Sequence, residues 1–312
     1  MGETPNYYFI CNPAANSGRM KKNWDKIHEA IDEHFDKEQY HVEFTEAPLH
    51  AIKLVQDAVD RQFSSVISVG GDGVANEVCN GIMRYGNGNK ISMGILPAGT
   101  SNDAHLTHKL GNDTIGALEY IDAHKTAKFG VGKATGDFSE EPYFFLDHCD
   151  TGLAALAARS AKYGTSLFKG EWKYTLYALK NILKFKSNPG TVTVDGQEYV
   201  GDFAVVAAGM GEDMSGYKLW PDNDITKGDF GLLMARGLSR FGLLKLMLAA
   251  ENGNHIGKEG VDYIRGKKIE IELDRPWPYQ AEGEIFAEDS TKVTFEFIPD
   301  AIEMITNIDL DN

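Results

Sequence analysis

Cationic side chains are in short supply in this chain. Its 31 Lys and Arg face 46 Asp and Glu, a formal charge of −15. Neutralising a nucleic-acid backbone needs clustered Lys and Arg, so nucleic acid is excluded as a general partner. Cysteine is scarce too. Cys11, Cys79 and Cys149 stand singly in apolar runs with no CxxC pair, which excludes a disulfide framework or thiolate metal site and fits a reducing cytosol. His28, His34, His105, His148 and His255 show no HExxH or comparable spacing, so they read as surface or core residues. Long apolar runs are missing: the richest, LLKLMLAA at 243–250, carries Lys245 and is too short to cross a bilayer. The start, MGETPNYYFICNP, has no basic and apolar leader, and Asn6 stands where a myristoylation signal wants Ser or Thr. A cytoplasmic protein is expected. No internal repeat, low-complexity tract or long linker is visible, and a homodimer stays open.

What is present is ordinary globular composition: 42% hydrophobic, 11% aromatic and 25% charged over 312 residues, a length that suits two domains. The first 130 residues alternate two periods. YYFIC, YHVEFTE, SSVISVGG and ISMGILPAG read as strands. Between them, GRMKKNWDKIHEAIDEHF puts Met20, Trp24, Ile27, Ile31 and Phe35 on one helical stripe, and Ile52, Val55, Val59 and Phe63 form another. This alternation predicts an α/β domain over 1–130, a doubly wound, mainly parallel sheet. Beyond it, short β-type runs dominate, with an Asp195-Gly196 hairpin signal. The expectation for 131–312 is a mainly antiparallel β-sandwich, with helical insertions near 153–184 and 240–251.

Three polar loops, NPAANSG, GGDGVANE and PAGTSNDA, fall at strand carboxyl ends, where ligands of parallel sheets sit. Gly70, Gly71 and Gly73 let the backbone approach a ligand and aim N–H groups at it. The helix expected from about Val74 adds partial positive charge. That combination suits phosphate; the alternative is a tight turn in which Asp72 only caps the helix. The loop is neither a P-loop nor a dinucleotide fingerprint: GEDMSGYK at 211–218 lacks the Lys and Ser/Thr positions, and Asn76 replaces the third glycine.

NPAANSG, GGDGVANEVCNGI and LPAGTSNDA, in this order, resemble the diacylglycerol kinase catalytic domain. That lipid-kinase family includes sphingosine kinases and bacterial multi-substrate lipid kinases and is distantly related to NAD kinases. Glu282-Gly283-Glu284 and the KLWPDND loop, Lys218 to Asp224, extend the similarity over nearly the whole chain. The resemblance implies an NAD-kinase-like first domain and a β-rich substrate-binding second domain. ATP and Mg²⁺ would be used to phosphorylate a diacylglycerol-like lipid alcohol, giving phosphatidic acid. It implies nucleotide contacts from Asn12, Gly18, Gly70, Gly71, Gly73, Asn76, Glu77, Thr100, Asn102 and Asp103. Glu284 matches the general base, Asp72 serves catalysis and metal, and Asp222 sits where relatives hold a structural metal. An acid among phosphates makes sense when a cation lies between them, which is the role read for Asp72.

Three positions depart from the family pattern. Val74 replaces a threonine, Leu106 stands near a family arginine and Glu282 replaces an aspartate. Sphingoid bases, phosphatidylglycerol and monoacylglycerol remain open as acceptors. NAD kinase is the alternative enzyme, and a nucleotide-binding protein with little catalysis the alternative of another class. Against the acidic background, 159–186 carries Arg159, Lys162, Lys169, Lys173, Lys180, Lys184 and Lys186. Tyr163, Phe168, Trp172, Tyr174, Tyr177 and Phe185 are interleaved with them. Such a segment suits either a solvated basic face on a core helix or peripheral contact with the inner face of a membrane.

Overall fold

A computed structural model of the chain describes residues 5–86, 91–108, 110, 113–164 and 171–307, with side chains throughout except at 171–175. They divide into two compact units. One runs to Val131 and resumes at Pro299; the other is Gly132–Ile298.

In the first unit β1 (Tyr7–Cys11), β2 (Tyr40–Phe44), β3 (Ser65–Gly70) and β4 (Ser92–Pro97) are joined by α1 (Ala15–Lys22), α2 (Trp24–His34), α3 (His50–Asp60) and α4 (Asp72–Tyr85). β1 pairs in parallel with β2 and β3, and β3 with β4. β1, β3 and β4 are buried at every position, as strands covered on both faces require; hence their unbroken apolar runs. α3 buries Ala51, Ile52, Val55 and Ala58 and packs on α4, where Gly81 gives it room: a Cβ there would lie 2.6 Å from Val55. The stripe from Met20 to Phe35 is not one helix. It breaks at Asn23 (φ −96, ψ 3), and Phe35 is already extended. α5 (Asp103–Thr107) and α6 (Gly116–Ala123) complete this part.

The second unit holds β6 (Ser139–Phe145), β7 (His148–Gly152), α7 (Leu153–Tyr163), α8 (Glu171–Lys184), β8 (Asn188–Val194) and β9 (Gln197–Gly209). β10 (Phe230–Arg236), α9 (Arg240–Ala250), β11 (Val261–Gly266), β12 (Lys268–Ala281) and most of β13 (Glu284–Ile305) follow; β5 (Thr126–Gly136) leads in from the first unit. Its strands pair antiparallel in the order β11-β10-β9-β7-β12-β13, with β8 on β9 and β12. Asp195 and Gly196, at φ 47 and 90, make the β8–β9 turn, the left-handed pair that matches the twist of two strands. The core is aromatic: the Phe145 ring lies 5.7 Å from Phe230 and 6.0 Å from Phe295.

The sequence placed all of 131–312 in the second domain. The chain from Pro299 belongs instead with the first unit. Met304 pairs in parallel with Met93 of β4, and Thr306 N donates to Lys125 O at 2.9 Å. Period-two burial at Ile302 and Met304 marks a strand but not its sheet, so this return is not readable from one sequence.

Candidate functional site

The first loop is shaped by Asn12, whose Oδ1 accepts from Ala14 N at 3.0 Å while its N–H donates to Val69 O at 2.9 Å. Asn16, Ser17 and Gly18 then turn left-handed at φ 51, 57 and 80. Such a run is easy for Gly18, tolerable for Asn16 and costly for Ser17.

The second and third loops are fastened together. Ala98 N donates to Gly70 O at 2.7 Å. Gly71 and Gly99 meet backbone to backbone: a Cβ on Gly99 would stand 2.3 Å from Gly71 Cα. Asn102, left-handed at φ 54, accepts from Gly99 N at 3.0 Å. Helix α4 starts at Asp72, two residues before the position expected, with Gly71 as its N-cap and Gly73 in its first turn. Asp72 Oδ1 accepts from Ala104 N at 2.9 Å, so the carboxylate ties its own loop to the start of α5. Asp103 is buried and Thr100 exposed.

A pocket of about 410 Å³ opens within this unit, lined among others by Asn16, Arg19, Asn23, Gly99, Asn102 and His105. It joins the first and third motifs. Arg19 adds a cation that no sequence motif marks beyond its place directly after Gly18 of the first loop. Burial holds the His105 imidazole down to about 4, so this lining residue is neutral at physiological pH.

Two of the expected nucleotide residues also hold the scaffold. Glu77 accepts from Leu49 N at 2.9 Å and Ala51 N at 3.1 Å, satisfying donors at the start of α3 that the helix leaves orphaned. Leu49, left-handed at φ 64, has no side-chain cap to offer, which is why the acid comes from α4. Asn76 is buried and accepts from Asn80 Nδ2 at 3.1 Å.

In the second unit Glu282 and Gly283, at φ 52 and 83, form the two-residue turn between β12 and β13, where Ala281 pairs with Glu284. The turn points its two carboxylates apart. Glu282 is buried and accepts from Leu146 N at 2.6 Å and Asp147 N at 2.8 Å, anchoring the hairpin to the β6–β7 turn. Gln280 Oε1 adds a bond from Gly283 N at 2.6 Å. Glu284 turns outward, its side chain 60% exposed and 4.0 Å from Lys162 Nζ. Desolvation by the surrounding protein raises its pKa above the ordinary carboxylate value, and the Lys162 charge opposes that rise. Such a group is a stronger base than a fully hydrated glutamate.

The same hairpin reaches an apolar cavity of about 140 Å³. α7 contributes Ala157 and Ala158, α8 Ala178, and α9 Leu246 and Met247, while Gln280 and Gly283 line it from the hairpin side. Alanines at these helical positions leave the space empty. His148 lines it too, its Nδ1 2.8 Å from Asp147 Oδ2. No motif marks these residues, since a cavity of small side chains has no sequence signature beyond the alanines themselves.

Asp222 is exposed, and its backbone carbonyl accepts from the Lys227 ammonium. Among the described residues it joins no cluster of three or more His, Cys, Asp or Glu. Its loop is held by Asn223, which donates to Gly209 O at 2.6 Å and accepts from Arg265 at 2.7 Å.

The basic aromatic segment is divided. Arg159 lies 3.7 Å from Asp289, and Lys162 is the neighbour of Glu284. Tyr177 and Phe185 are buried. Phe168, Lys169 and the side chains of Trp172, Lys173 and Tyr174 lie outside the described residues. No helix among the described residues is long and apolar enough to cross a membrane.

Residues 6–134 match the family model of the diacylglycerol kinase catalytic domain, and residues 148–306 that of the YegS C-terminal NAD kinase beta sandwich-like domain. The chain belongs to the diacylglycerol kinase catalytic-domain family, and it is a lipid kinase of the diacylglycerol kinase-like class. A diacylglycerol kinase of Staphylococcus haemolyticus is 27% identical over 228 residues, 73% of this chain and 67% of that one. A diacylglycerol kinase of Staphylococcus carnosus is 26% identical over 228 residues, 73% of this chain and 72% of that one. Among solved structures, a diacylglycerol kinase from Bacillus anthracis shares the fold with a TM-score of 0.71 at 21% identity, over 98% of both chains.

Proposed function

We propose that this lipid kinase transfers the γ-phosphate of ATP to the hydroxyl of a diacylglycerol-like lipid, giving a phosphatidic-acid-like product. The observation that carries the reading is the β12–β13 hairpin. It presents an accessible, more basic Glu284 and also lines an apolar cavity suited to a hydrocarbon chain. A proton acceptor and an acyl site on one rigid turn are what a lipid alcohol needs. The names of the staphylococcal relatives support diacylglycerol as the acceptor.

In the loops of the first unit, backbone amides at Gly71 and Gly73 and the start of α4 hold phosphate oxygens. Asn12, Gly18, Gly70, Thr100 and Asn102 shape and line that surface, and Arg19 supplies a cation. Asp72 and Asp103 offer the hard carboxylate oxygens that suit Mg²⁺, which when bound would neutralise charge on the phosphates. Asp222 would offer a structural metal a single exposed carboxylate on its loop. Glu284 accepts the proton of the lipid hydroxyl as its oxygen forms the new P–O bond; the bond from the γ-phosphorus to the bridging oxygen breaks and ADP leaves.

Ala157→Phe fills the cavity without touching the loops. Its KM for dispersed diacylglycerol should rise about tenfold or more, the scale on which apolar pockets discriminate, with ATP affinity unchanged. Steady-state kinetics with each substrate varied checks this, and an unaltered lipid KM would remove the cavity from the acceptor site.

A further inference from the structure

The two helices that wall the cavity carry a second surface. On α8, Leu179, Lys180, Leu183 and Lys184 are exposed, Leu183 at 71%; their i, i+4 spacing puts them on one face. On α9 the exposed residues are Phe241 at 65%, Lys245 and Leu248 at 59%, again one stripe at i, i+4 and i+7. α8 and α9 pack against each other, and Arg240 Nε donates to Phe185 O at 3.4 Å. The opposite faces of the same helices, Ala178 on one and Leu243, Leu246 and Met247 on the other, line the cavity. A helix apolar on both sides needs something apolar on both sides.

The charge on this surface selects the partner. Lys180, Lys184, Lys186, Arg240 and Lys245 enter no ion pair among the described residues. They stand in a chain of net charge −15; the first acid after α9 is Glu251. Lys245 lies 4.6 Å from the Phe241 ring centroid and Lys180 5.1 Å from that of Tyr177, so the ammonium groups cluster with the rings they cover. Large apolar side chains that alternate with unpaired lysines fit a layer with negative headgroups above hydrocarbon. A protein partner would leave these lysines to be matched by acids, and an apolar one would leave them buried without partners.

We propose that the outer faces of α8 and α9 form a docking surface for an anionic bilayer, which places the cavity walls against the lipid that supplies the acceptor. Phe241, Leu183 and Leu248 enter the headgroup–acyl boundary, and Lys180, Lys184 and Lys245 pair with lipid phosphates. The inference rests on the lipid-kinase reading for its purpose, but docking needs no turnover, so the two fail separately.

The test is sedimentation of the full chain with vesicles of phosphatidylcholine alone and of phosphatidylcholine mixed with phosphatidylglycerol. Wild type should sediment with the mixed vesicles and far less with the neutral ones. Lys180→Glu/Lys184→Glu/Lys245→Glu should weaken binding to the mixed vesicles about a hundredfold, from the contribution of each basic side chain at an anionic surface. Phe241→Ser/Leu248→Ser should weaken binding to the mixed vesicles, and the binding that remains should still fall with added salt. Both variants should keep wild-type thermal unfolding and wild-type activity on a short-chain acceptor dissolved below its micelle concentration. Equal binding to neutral and anionic vesicles, or variants that sediment like wild type, would overturn the proposal. Loss of activity on the dissolved acceptor with vesicle binding intact would overturn it as well.

Discussion

Glu284→Gln is expected to lower kcat for lipid phosphorylation by about 10²–10⁴-fold, the usual worth of a positioned proton acceptor, and to leave ATP affinity unchanged. The substitution keeps the shape and removes the charge. The hairpin itself should stand, because it is held by Glu282 on the amides of Leu146 and Asp147 and by Gln280 on Gly283. The pH profile gives a second readout. Only ionised Glu284 accepts a proton, so the rate falls as pH drops through its folded pKa, and desolvation has moved that value upward. Lys162 works in the opposite direction. Lys162→Met should therefore shift the acid limb of kcat/KM to higher pH, while Glu284→Gln abolishes the limb. Full activity of the glutamine variant would show that the proton leaves by another route.

Gly99→Ala should be the most damaging single change in the loops. The added methyl would stand 2.3 Å from Gly71 Cα and 2.6 Å from Asn102 Oδ1, and one of these neighbours is backbone that cannot rotate away. Relief requires the second and third loops to part, at the expense of the Ala98–Gly70, Gly99–Asn102 and Asp72–Ala104 hydrogen bonds. Overpacking of this kind costs about 1–3 kcal/mol. ATP affinity should fall at least tenfold, and the urea midpoint should drop. Titration with a fluorescent ATP analogue and urea unfolding check both. Unchanged nucleotide affinity would mean that the joined loops are not the phosphate site.

Local chemistry was legible in the sequence where one residue decides one turn. Asp195-Gly196 closes the β8–β9 hairpin as its dipeptide predicts, and α7, α8 and α9 fall where the helical interruptions were read. Parallel pairing of β1, β3 and β4 agrees with their apolar runs, and β2 joins β1 as the more exposed strand. What escaped depends on partners distant in sequence. Glu77 stands inside the GGDGVANE motif, yet its carboxylate meets α3 amides 26 and 28 residues earlier. Asp72 reads from the sequence as a cap for its own helix or a metal ligand, and its Oδ1 also holds the start of α5, 32 residues on. The basic aromatic segment suits either a core helix or a membrane face from its sequence; Tyr177 and Phe185 are buried while Tyr163 is exposed, and α9 adds exposed Phe241 and Leu248. The end of β13 joins a different unit from its beginning, a choice made by pairing and invisible to periodicity.

Passage of phosphate from ATP to a lipid hydroxyl is the step on which the proposed activity stands. Incubation of the wild-type protein with γ-labelled ATP, Mg²⁺ and mixed micelles of diacylglycerol, with NAD present as a competing acceptor, tests it directly. Label in a chloroform-soluble product that migrates as phosphatidic acid, and is lost in Glu284→Gln, is the predicted result. Label on NAD alone, or ATP bound without transfer to any acceptor, would contradict it.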